Sequence, residues 1–220
     1  MPTPNLDTAA IEATKLLITR QIKTTPIDTL ALMKNTPNVL LLSFAEIALL
    51  NNVNRDDIIS LVGDKNQDAL TAVSNENGTL SYTVMYNQLL PHAIVQKTIG
   101  RELGHIILGH DGSRSPEVRT AEAECFARHL ICPRPILRMI EESGLRITVE
   151  LVGALTGCRR RCLDGIHNTP GTRVPAELNR MVKEQFADCV KNFVNYARHV
   201  QPNDTSEIVD FGSYFDNYTE

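Results

Sequence analysis

The sequence predicts an α+β protein: a small antiparallel or mixed sheet in the first half, then a mainly helical C-terminal half. Three observations carry this. In "TLSYTVMYN", Leu80, Tyr82, Val84 and Tyr86 alternate with Ser81, Thr83 and Met85, the period of two of a strand with unlike faces. Asn77-Gly78 joins that run to "DALTAVS", a strong hairpin signal. From Pro91 onward apolar residues recur at helical spacing, punctuated by Pro, Ser-Pro and Gly where helices start and stop.

The elements follow in order. Asp7 is the expected cap of a first helix, whose apolar stripe through Ile11, Leu16, Leu17 and Ile18 ends near Arg20. A short second helix is expected over "IDTLALMK", with Pro26 or its neighbour setting its first turn. "NVLLLSF" suits a buried strand, and Ser43 with Glu46 stands at capping-box spacing to open the helix "FAEIALLNN". After the hairpin, Val95, Ile99, Leu103, Ile106 and Ile107 line one helix, with a stop at Gly109 and Asp111-Gly112. Ser115-Pro116-Glu117 starts the next helix, "EVRTAEAECFARHLI". Pro135 opens "ILRMIEE", ended by Gly144, and "TVELVGALTG" follows. Residues 158–174 are expected to form a loop. Pro175 begins a long helix with Leu178, Val182, Cys189, Phe193 and Tyr196 near heptad spacing, and an acidic tail follows Pro202.

Bulk properties narrow the function classes. At 220 residues the chain can bury a sizeable core, and its net charge of −4 provides no broad basic field for direct nucleic-acid binding. No run approaches the roughly 18 apolar residues of a membrane span. The N-terminus lacks the basic start and apolar stretch of a signal peptide. Five cysteines without a framework rhythm read as reduced thiols in a cytoplasm. Cys125 and Cys132 are expected in the core. Cys158 and Cys162, flanking three arginines, read as two thiols on one helix face.

The chemistry concentrates in "TIGRELGHIILGH", Thr98 to His110. Helical residues four apart share a face, so in H-E-x-x-H two imidazoles grip one metal while the Glu addresses the metal-bound water. Zinc lowers that water's pKa to about 7, and the Glu takes its proton as it attacks a peptide carbonyl. Here Glu102 and His105 keep their places, and Arg101 stands where the first histidine belongs. A guanidinium has no lone pair to offer a metal and adds positive charge beside it. It pairs well with a carboxylate, and Glu122 or Glu102 is the expected partner. His110 is five residues past His105, about 140° round a regular helix. It reads as a structural helix-end residue, and Glu124 as a surface one.

Three ordered pieces, "MYNQLLP", "TIGRELGHIILGHDG" and "AEAECFARHLICPRPIL", resemble the strand and two helices of the ImmA/IrrE-like metallopeptidases. The resemblance covers roughly residues 8–140. It implies a zincin-type active-site helix, with zinc held by His105 and Glu122, Glu102 as general base, and Arg101 in place of the remaining ligand. Glu124 departs too, where the family usually has Asn. Members act on a helix-turn-helix repressor and relieve repression in mobile elements and stress responses; this chain shows no such motif of its own, so the repressor would be a separate partner. The expected organisation is a metallopeptidase domain over residues 1–157 and a helical extension with an acidic tail over 158–220. Two functions stand open: a zinc metallo-endopeptidase impaired at Arg101, or a non-catalytic module that inactivates its repressor by binding.

Overall fold

The computed structural model describes residues 3–54, 56–58, 68–158 and 171–200. Among them a three-stranded mixed sheet and eight helices follow the order α1 (Leu6–Thr19), α2 (Thr29–Lys34), β1 (Val39–Ser43), α3 (Phe44–Leu50), β2 (Ala69–Glu76), β3 (Thr79–Tyr86), α4 (His92–Ile107), α5 (Pro116–Ile131), α6 (Arg134–Glu142), α7 (Val149–Thr156) and α8 (Ala176–Val200). The α+β class with a helical C-terminal half is what the sequence predicts.

The sheet order is β1-β3-β2. β3 runs antiparallel to β2, pairing Thr71 with Val84, and parallel to β1, pairing Leu41 with Val84. Asn77 and Gly78 both take positive φ, 52° and 84°, the backbone a type I′ hairpin needs. Val84 is fully buried at the centre, whereas Leu80 near the turn is 45% exposed because the hairpin tip projects past the helices.

Side-chain hydrogen bonds at the helix ends set the boundaries. Asn5, not Asp7, caps α1, its side chain accepting from Thr8 N–H; Asp7 instead accepts the Arg173 N–H at 2.7 Å. Asp28 caps α2, so that helix starts later than Pro26 suggests. The Ser43–Glu46 capping box forms in full. Ser115 caps α5, and Thr148 caps α7.

One hydrophobic core joins α1, α4, α5, α6 and α7, and α8 adds Val182, Phe186, Val190 and Val194 to it. The buried stripe of α8 therefore runs through those residues and Ala197, while Tyr196 is 64% exposed. That corrects the expected heptad positions: α8 packs on α1 and α6 as a single surface helix with a 3.6-residue period. Gln185 holds the end of α1 by donating to the carbonyls of Leu17 and Ile22. Cys125, Cys132 and Cys158 are all buried in the core, as expected for the first two. Cys158 lies just beyond the left-handed Gly157 that ends α7, so it is not on a helix. Cys162, most of the expected 158–174 loop and the acidic tail lie outside the described residues. No described helix is long and apolar enough to cross a membrane.

Candidate functional site

The site begins with a close helix pair. A Cβ on Gly104 of α4 would lie 3.1 Å from the ring of Phe126 on α5, so only glycine lets that ring seat there without displacement. Glu122 is one turn before Phe126 and therefore shares its face of α5. The close approach that Gly104 permits brings the Glu122 carboxylate in beside the end of α4.

Gly109, at φ +62°, ends α4 in the left-handed region, and the His110 N–H bonds back to the His105 carbonyl at 3.0 Å. This turn folds the His110 ring over His105, with centroids 4.9 Å apart and the two Nδ1 atoms 2.8 Å apart. His110 Nε2 lies 2.9 Å from Glu122 Oε2, and the two side chains are only 1% and 3% exposed. Arg114 Nη1 reaches the same Oε2 at 2.8 Å, and the Asn5 N–H donates to Oε1 at 2.7 Å. With Glu122 ionised, His110 donates from Nε2, its Nδ1 accepts from His105 Nδ1–H, and the His105 Nε2 lone pair stays uncommitted.

Glu102, buried on the sheet side of α4, accepts the Thr71 hydroxyl at 2.7 Å. Arg101 reaches Glu102 at 3.5 Å and Glu124 at 3.8 Å. Two readings need correction here. Arg101 pairs with Glu102, one of its two expected partners, and not with Glu122, which is neutralised by Arg114 and accepts a hydrogen bond from His110, because α5 enters with Glu122 toward the end of α4 and Glu124 toward Arg101. Glu124 is not simply solvated: it is 20% exposed and also binds Lys97 at 3.3 Å.

His110 is the structural helix-end residue the sequence suggests, but it lies against His105 and not away from it. Its 140° offset assumes a helix that continues, and Gly109 stops the helix first. The same glycine, already legible as a stop signal, was the clue. Arg114, Arg119, Thr71 and Asn5 carry no motif and emerge only from the fold.

Burial pushes the Glu122 carboxyl up, but hydrogen bonds from Asn5, His110 and Arg114 outweigh it and leave its pKa below 4.5. Burial lowers His105 to about 4, helped by His110, Arg101 and Arg119 against the opposing pull of Glu124. Burial also lowers His110, partly offset by Glu122. The unfolded chain therefore takes protons at His105 from about pH 6.5 downward, whereas the folded chain waits until about pH 4. Stability is expected to fall with pH across that window. Urea unfolding at several pH values checks this, and His105→Gln should flatten part of the slope. His129, fully buried and also held low by desolvation, supplies a remainder.

As arranged, these donors do not fit a zinc ion. His105 and Glu122 meet only through His110, both Glu122 oxygens are taken, and guanidiniums flank the cluster. Among the described residues no group of three or more His, Cys, Asp or Glu is placed to hold a metal. What lies in front of the cluster is a cleft of about 400 Å³ between β2 and α4, lined among others by Leu70, Thr71, Tyr82, Arg101, His105 and Arg119.

Fold and site together define an α+β protein with a buried histidine–carboxylate network beside a basic cleft. No family model, curated protein or solved structure matches the chain.

Proposed function

We propose that this chain is a non-catalytic, peptidase-derived module that acts as an anti-repressor, occupying a helix-turn-helix repressor without cutting it. One observation carries the reading. Glu122, the carboxylate a metal would need, has its oxygens filled by Arg114, His110 and the Asn5 N–H. Arg101 adds to this, since its charge opposes a dication where a ligand would stand. Binding then uses the cleft beside α4. The repressor follows from the motif resemblance, and a cytoplasmic setting from the odd and sparse set of five cysteines.

The second reading is the impaired zinc metallo-endopeptidase, with His105 and Glu122 as ligands and Glu102 as base. It is favoured by the uncommitted His105 Nε2 lone pair three residues from Glu102.

Metal analysis of protein purified without chelator separates the two. Zinc well below one per chain and no cleavage of a co-expressed repressor are expected. Arg101→His alone should not raise zinc to one per chain, because Arg114 and His110 still hold Glu122. Stoichiometric zinc in the natural chain would sink the non-catalytic reading.

A further inference from the structure

We propose that the cleft beside α4 is an anion site, in which Arg101 and Arg119 receive a side-chain carboxylate from an acidic segment of the partner protein. The proposal rests on the non-catalytic reading, since a metal in the cleft would compete for the same carboxylate.

Arg119 is the first reason. It lines the cleft, its Nε is buried without a hydrogen-bond partner, and no carboxylate among the described residues pairs with its guanidinium. A buried donor left unmade is costly, and one that faces a cleft is open to an acceptor arriving from outside. Arg101 is the second. Its contacts at 3.5 Å and 3.8 Å are long against the 2.7–2.9 Å of a charge-assisted hydrogen bond, so its donors are under-used.

Charge selects the ligand. Charge is counted over the whole cluster: Lys97 and Arg101 are met by Glu124 and Glu102, and Arg114 by Glu122, which leaves Arg119 as the one unbalanced positive charge at the cleft. A carboxylate neutralises that charge and matches the planar guanidinium fork. A phosphate dianion would overshoot it and face Glu102. Size agrees: about 400 Å³ admits one or two side chains, not a helix.

The test follows Arg119 directly. In the ¹⁵N-labelled full chain, the Arg119 Nε–Hε signal is followed during titration at constant ionic strength. The probes are sodium acetate, acetamide, inorganic phosphate and the blocked peptide acetyl-Ala-Asp-Ala-amide. Saturable shifts with acetate and the peptide are expected, with none from acetamide and weaker binding of phosphate. Arg119→Gln should weaken the peptide about tenfold, and Arg101→Gln should weaken it too. The proposal is overturned by absence of saturation with acetate and peptide, by an equal response to acetamide, or by tighter binding of phosphate. Zinc is measured on the same sample. A metal-free protein that ignores acetate loses the anion site alone, whereas stoichiometric zinc removes the non-catalytic reading beneath it.

Discussion

Phe126→Ala is expected to lower the unfolding free energy by about 3–5 kcal/mol, the largest single-residue loss foreseen for this chain. Phe126 is fully buried, and its ring packs so closely on Gly104 that a Cβ there would lie 3.1 Å from it and force a small shift. Truncation removes the ring and leaves a void between two helices whose backbones are already close, so little can collapse into it. Phe126→Leu, which keeps more of the volume, should lose less. Urea denaturation of the two variants decides the matter. If Phe126→Ala costs under about 1 kcal/mol, the α4–α5 contact is not the tight seam described.

Glu122→Ala is expected to cost about 2–3 kcal/mol, the scale of hydrogen bonds to a charged group. The loss falls mainly on His110, whose buried Nε2–H loses its acceptor. Arg114 is 49% exposed and returns to water at small cost. The Asn5 N–H also loses its partner, so its amide exchange should accelerate. Acid supplies an independent check. The folded pKa of Glu122 lies below 4.5, so its contribution is complete above that pH and is lost as pH falls through the folded value. The stability gap between natural chain and variant should therefore narrow below pH 4.5. A gap that widens in acid would place Glu122 in a different environment.

Much of the scaffold was legible because its signals are local. The capping box at Ser43, the Asn77-Gly78 turn and the Ser115-Pro116 start each specify backbone through groups a few residues apart. Glu102 and His105 sit on one helix for the same reason. Glu122 was expected near them, and it is, but through His110 and with a different cation as its partner. Those details depend on where a chain goes after a left-handed residue and on how α5 is rotated about its axis. Neither is encoded at short range. The Asn5–Glu122 bond, spanning 117 positions, is of the same kind. The stripe on α8 was misjudged for a related reason, because a lone helix lying on two neighbours has no need of a 3.5-residue repeat.

Gly104 turns toward Phe126, while position 101 looks outward at 31% exposure. Residues three apart are neighbours on a helix surface, so both positions meet α5, Gly104 at Phe126 and Arg101 at Glu124. A change of side chain at position 101 is therefore expected to alter the charge that meets Glu102 and Glu124 while the seat of Phe126 on Gly104 stays as it is.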